Sequence, residues 1–192
     1  RPQIIKAAAL NRAIRTKFSE ELVEVLVHTG QHYDHGMSDV FFEEMGISKP
    51  DYQLGIGSGS HGKQTGKMLE EIENVINQEK PDALVIYGDT NSTIAGSLAA
   101  SKLHLPVIHI EAGLRSYNKR MPEEINRITA DHSSTLLYSP TKSGLRNLEK
   151  EGFKTLGDAK KAGKADINNP YVFHCGDLMF DNTLFYSEKA ED

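Results

Sequence analysis

Cysteine is nearly absent: Cys175 is the only one. No intrachain disulfide can form, and a reducing cytoplasm is the expected setting. No apolar run approaches the roughly 20 residues needed to span a bilayer, and no signal peptide is visible. Positive charge is in deficit, with 22 Lys and Arg against 27 Asp and Glu and a formal net charge of −5. That balance argues against a general nucleic-acid or membrane-surface binder. Neither an H-E-x-x-H pattern nor a cysteine pair is there to support zinc, so no metal is expected. Internal repeats are also missing. A soluble chain of 192 residues with room for one substantial core, or one and a half, is what these absences leave.

What the chain does contain is an alternation of strand and helix patterns. A first helix is expected over about Gln3 to Lys17, on the apolar spacing Ile4, Ile5, Ala8, Ala9, Ala13 and Ile14. Glu21 to His28 alternates and is rich in Val and Leu, which predicts a strand. Met37 to Met45 reads as a short helix ending at Gly46, Tyr52 to Ile56 as a brief strand, and His61 to Glu79 as a helix with Met68, Leu69, Ile72, Val75 and Ile76 on one face. Ala83 to Tyr87 and Pro106 to Ile110 are continuous apolar runs, the signature of strands buried on both faces of a parallel sheet. Helices are expected at Ser92 to Lys102, Glu123 to His132 and Thr141 to Lys150, with strands at Thr135 to Tyr138 and Tyr171 to His174. Thr155 to Asn169 has no periodicity and reads as a surface insertion, and Ser187 to Asp192 as a fraying tail or a link onward. The fold class is α/β, a doubly wound parallel sheet. The chain opens on Arg1-Pro2 with a helix where such a domain normally has a strand, which suggests a piece of a longer enzyme.

Three acidic loops stand out: Gly88-Asp89-Thr90, Glu111-Ala112-Gly113 and Pro122-Glu123-Glu124. Ligands of open parallel sheets bind beyond the carboxyl ends of the strands, where such loops converge. Asp89, Glu111 and Glu123 gathered there suit proton transfer better than binding alone. Each also has a plainer reading. Asp89, Thr90 and Asn91 are all good helix caps. Glu111 is costly to desolvate unless it finds a partner such as Arg115. Glu123 and Arg127 are spaced i,i+4, as in an exposed helix ion pair of little consequence. Gly57-Ser58-Gly59-Ser60-His61-Gly62 fits G-x-G-x-x-G, but it lies outside the first βαβ unit and lacks a following acidic residue for a ribose, so a loop near the ligand is the better reading than a nicotinamide site.

Taken in order, Arg1-Pro2-Gln3 with Lys6, Thr29-Gly30-Gln31-His32, Gly88 to Thr93, Glu111-Ala112-Gly113-Leu114-Arg115, Pro122 to Arg127 and Gly176-Asp177-Leu178-Met179 are similar to the non-hydrolysing UDP-N-acetylglucosamine 2-epimerase family. The resemblance covers nearly the whole chain. Arg1-Pro2-Gln3, Gln31-His32-Tyr33-Asp34 and the Gly57 to Gly62 loop resemble the branch that acts on UDP-2,3-diacetamido-2,3-dideoxyglucuronate. The resemblance implies the Rossmann-like N-terminal half of a two-domain glycosyltransferase-B-type fold: residues 1–175 form that domain without its first strand, 176–192 begin the interdomain linker, and the second domain is absent. It implies that C2 of a UDP-2-acetamido sugar is inverted by elimination and re-addition of UDP, with no cofactor and no metal. Asp89, Glu111 and Glu123 match the family's catalytic acids; Arg1, Lys6, Arg115 and Arg127 would bind substrate. A homodimer is implied for the full-length protein. The rival readings are a hydrolysing epimerase, a glycosyltransferase of the same architecture, or a domain inactive by itself.

Overall fold

Apolar runs too short for helices pair here as parallel strands, and helices cover their faces. The computed structural model describes residues 2–30, 46–47, 49–155 and 165–190. It divides into two compact units, residues 59–176 and residues 1–58 together with 177–192. Arg1, Gln31, His32, the helix expected over Met37 to Met45 and most of the Thr155 to Asn169 segment lie outside the described residues.

In the smaller unit, α1 (Pro2–Lys17) buries Lys6, Ala7, Ala8 and Ala9. Strands β1 (Val27–His28) and β2 (Tyr52–Gln53) pair in parallel. The expected strand from Glu21 shrinks to these last two residues. Residues 18–22 instead close a helical turn, with the Glu21 and Leu22 amides donating to the Phe18 carbonyl, and Val23 is 94% exposed. Among the described residues no strand pairs with the alternating pattern there. The strand expected over Tyr52 to Ile56 likewise stops at Gln53, before Gly55 turns the chain at φ +62°. A helix the sequence pattern did not announce, α6 (Leu178–Ala190), packs against α1. Its buried contact is polar: Asn182 donates to the Ile5 carbonyl at 2.5 Å and accepts from Arg12 at 2.9 Å, while Phe180 and Leu184 stay exposed. Apolar periodicity is therefore a poor guide to it.

The larger unit is a parallel sheet of β3 (Leu84–Tyr87), β4 (Val107–Ile110), β5 (Leu136–Ser139), β6 (Lys154–Thr155) and β7 (Tyr171–His174), in spatial order β3-β4-β5-β7-β6. Helix α2 (His61–Glu79) precedes β3, and α3 (Asn91–Lys102), α4 (Pro122–His132) and α5 (Lys142–Lys150) supply the crossovers. The α/β alternation expected from the sequence is thus present, with boundaries shifted by a residue or so. Small residues let α3 lie close to the sheet: a Cβ on Gly96 would come within 3.2 Å of Ile86. Thr90 and Thr93 cap α3 reciprocally, and Thr141 caps α5. The core around Ala112, Leu137, Leu148 and Val172 is fully buried.

Two glycines make opposite predictions. Gly113 has φ +83°, and a Cβ there would lie 2.5 Å from the Gly144 carbonyl oxygen and 2.8 Å from Leu148. Gly66, inside α2, has nothing within 4 Å. Gly113→Ala is expected to cost at least about 2 kcal/mol, from left-handed strain and overpacking. Gly66→Ala is expected to add roughly 0.5–1 kcal/mol. Urea unfolding midpoints of the two variants measure both effects.

Candidate active site

Register decides where the acidic loops meet. Tyr87 lies opposite Ile110 in the β3–β4 ladder, and the Gly88 amide adds one more bond by donating to the Ile110 carbonyl at 3.0 Å. The chain therefore leaves β3 into Gly88-Asp89-Thr90 beside the point where it leaves β4 into Glu111-Ala112-Gly113. Gly88 turns with φ +62°. Thr90, not Asp89, performs the helix capping, since its hydroxyl accepts from the Thr93 amide. Capping thus does not account for Asp89.

Helix α4 holds that loop. Arg127 forms an ion pair with Asp89 and also donates to Glu124 at 3.0 Å, while Asn126 donates to the Asp89 backbone carbonyl at 2.9 Å. The expected Glu123–Arg127 pair is replaced by these contacts, because the i,i+3 neighbour Glu124 is the one turned inward. Glu123, in the first turn, is exposed. Glu124 is 1% exposed and accepts the amides of Ser116 and Tyr117, each at 2.9 Å. Burial alone would raise its carboxyl; the two amides and Arg127 outweigh that and hold it below its ordinary value. A second polar run backs the same loops: Asn91 donates to Gln64 at 2.7 Å, and Asn126 donates to Asn91 at 3.3 Å.

Glu111 is half-buried, with φ +78°. A non-glycine residue in that region stores about 1–2 kcal/mol of strain, a common mark of functional positions. Its amide and that of Ala112 both donate to the Tyr138 carbonyl, at 3.1 and 3.0 Å, which fixes the turn against β5. Arg115 is not the partner of Glu111. Its guanidinium makes two 2.7 Å bonds to Glu151, one of 2.7 Å to Asp131 and one of 2.8 Å to the Leu114 carbonyl. Desolvation would lower its basicity, but these two carboxylates raise it. Lys6 belongs to the smaller unit, where it is buried and donates to Gln3 at 3.2 Å. Sequence reasoning missed Glu124, Asn91, Asn126, Asp131 and His109. Asn91, Glu124 and Asn126 lay inside the motifs already singled out but without these roles, His109 is a polar residue inside the run Pro106 to Ile110, and Asp131 offered no signal. Among the described residues no group of three or more His, Cys, Asp or Glu could hold a metal, and no helix is long and apolar enough to cross a membrane.

Residues 15–192 match the family described as UDP-N-acetylglucosamine 2-epimerase. The chain belongs to this family. It is 53% identical over 190 residues to the UDP-2,3-diacetamido-2,3-dideoxy-D-glucuronate 2-epimerase of Pseudomonas aeruginosa, covering 99% of this chain and 50% of that protein. It is 50% identical to the UDP-N-acetylglucosamine 2-epimerase of Methanocaldococcus jannaschii, over 100% of this chain and 48% of the relative. The crystal structure of an M. jannaschii epimerase of that name, in complex with UDP-GlcNAc and UDP, superposes with a TM-score of 0.87 at 44% identity, over 100% of this chain and 48% of that one. The expected fold class, the α/β half of a glycosyltransferase-B-like fold, is that of these epimerases. The chain spans about half the length of these relatives.

Because Glu124 is held below its ordinary value in the folded chain, its stabilisation is complete above about pH 4.3, the unfolded value, and is lost as pH falls through the lower folded one. Glu124→Gln leaves the two amides and Arg127 facing a half-mismatched amide, at an expected cost of about 1–3 kcal/mol at neutral pH. The difference between variant and parent should narrow on acidification, as urea titrations at a series of pH values would register.

Proposed function

We propose that the full-length protein inverts C2 of a UDP-2-acetamido sugar by elimination and re-addition of UDP. The observation that carries this reading is the pairing of adjacent carboxylate loops, Asp89 and Glu111, at one edge of a parallel sheet in a chain of this family.

The C2 hydrogen is not next to a carbonyl, so direct abstraction is slow. Elimination avoids this. The C1–O bond breaks with its electrons going to the departing diphosphate, while a base takes the C2 proton and the C–H electrons form the C1=C2 bond of a glycal. Delivery of a proton to the opposite face of C2, with attack of the same diphosphate oxygen at C1, returns the epimer. Oxocarbenium character at C1 acidifies C2 and is stabilised by nearby carboxylates. Two groups of different protonation are needed, one for each face. We assign this work to Asp89, Glu111 and Glu123, with Arg127 orienting Asp89 through their ion pair. Arg1, Lys6 and Arg127 match the family's basic positions for the nucleotide. Arg115, expected to bind substrate, is better assigned to structure, because four hydrogen bonds already hold it inside the fold. The leaving group is also the returning nucleophile, so the reaction requires no redox cofactor.

The relative with a diacetamido-glucuronate substrate in its name supports that branch, and the M. jannaschii relative supports plain UDP-N-acetylglucosamine. We also propose a homodimer working in the cytoplasm; sedimentation of the full-length protein tests the first part. For the reaction, each UDP-sugar is incubated with the full-length protein and followed by proton NMR. A manno-configured product from one of them is expected, and Asp89→Asn should slow it roughly 10²–10⁴-fold. A protein that binds UDP but converts neither substrate would count against the reading.

A further inference from the structure

Behind the two carboxylate loops lies a buried, hydrogen-bonded side-chain pair that the proposed reaction does not consume. Asp131 of α4 and His109 of β4 are both fully buried. One Asp131 oxygen lies 2.7 Å from His109 Nδ1. The other accepts the Gly113 amide at 3.1 Å and Arg115 at 2.7 Å. The far nitrogen of His109, Nε2, lies 2.8 Å from the Gly88 carbonyl oxygen. Gly88 directly precedes Asp89, and Gly113 follows Glu111 by two residues. Both glycines have positive φ and lie just past the ends of β3 and β4. There the Gly88 carbonyl faces His109 and the Gly113 amide donates to Asp131, so side chains hold both turns.

We infer that Asp131 and His109 are positioning residues that clamp the Asp89 and Glu111 loops to one another. The inference rests on the epimerase reading for what is being positioned. The two ring nitrogens of His109 each face an oxygen, of Asp131 on one side and of Gly88 on the other. The network continues outward: Arg115 joins Asp131 to Glu151, and Glu151 reaches His132 at 3.0 Å near the surface. Filling the same volume with apolar side chains would commonly be neutral or stabilising. A buried histidine and carboxylate that each bond loop backbone do something apolar packing cannot, which is to fix where two chain segments sit. Proton transfer is sensitive to such placement.

The test uses His109→Gln and Asp131→Asn in the full-length protein. Glutamine can donate to Gly88 or to Asp131 but cannot bridge them. Asparagine keeps the size of Asp131 and turns an N–H toward two donors. Val172→Ala, a fully buried truncation in β7, serves as a control matched for lost thermal stability. For both clamp variants, kcat should fall about 10–100-fold while the Kd for UDP stays within about threefold. Hydrogen–deuterium exchange should quicken together in peptides 88–93 and 111–116. Val172→Ala should keep kcat. Unchanged kcat or unchanged loop exchange in the clamp variants would overturn the inference, as would an equal loss of kcat in Val172→Ala. If the unaltered protein shows no turnover, the epimerase reading fails, and the loop exchange alone decides the clamp.

Discussion

The in-register parallel pairing of β3 with β4 is the constraint on which the candidate site depends. Because the strands run the same way, both leave the sheet at one edge, and Tyr87 opposite Ile110 puts Asp89 two residues and Glu111 one residue beyond neighbouring ends. Antiparallel pairing would have sent one of the two loops to the far edge. The crossover helices that parallel pairing demands then bring α4 beside the same edge. Its first turns supply Asn126 and Arg127 to the Asp89 loop, and Glu124 to the Ser116–Tyr117 amides.

The price of this arrangement is buried charge. The carboxylates Glu124 and Asp131 are nearly or fully removed from solvent, and His109 is buried beside Asp131. Each is kept by several hydrogen bonds, and no buried side-chain nitrogen or oxygen among the described residues lacks a partner. Burial raises the Asp131 carboxyl, but His109 and Arg115 overcome that and hold it low. Removing any one partner would leave another charge unpaired in a low-dielectric interior, which is far costlier than the intact set. The loops are therefore held by interactions that cannot be weakened singly, which fixes where Asp89 and Glu111 leave the sheet.

Much of this was legible in the sequence because buried parallel strands write continuous apolar runs. Ala83 to Tyr87 and Pro106 to Ile110 are such runs, and the acidic residues that follow them stand out directly. Tertiary aim was not legible. Spacing says that Glu123 and Arg127 share a helix face, yet Arg127 reaches past Glu123 to Asp89, a residue 38 positions away. Arg115 likewise passes over Glu111 for Asp131 and Glu151. Periodicity also failed where polar contacts do the packing, as in α6 with its buried Asn182, and where alternation occurs without a partner strand, as at Glu21 to Leu26.

The central claim is that carboxylates at this edge exchange the C2 proton of a UDP-sugar across two faces. Turnover by the full-length protein in D₂O, with the C2 position of the recovered product read by NMR, tests it most directly. The account predicts a manno-configured UDP-sugar carrying solvent deuterium at C2. A product whose C2 hydrogen is wholly retained from the substrate would contradict it, since elimination with delivery of a new proton to the opposite face could not give that result.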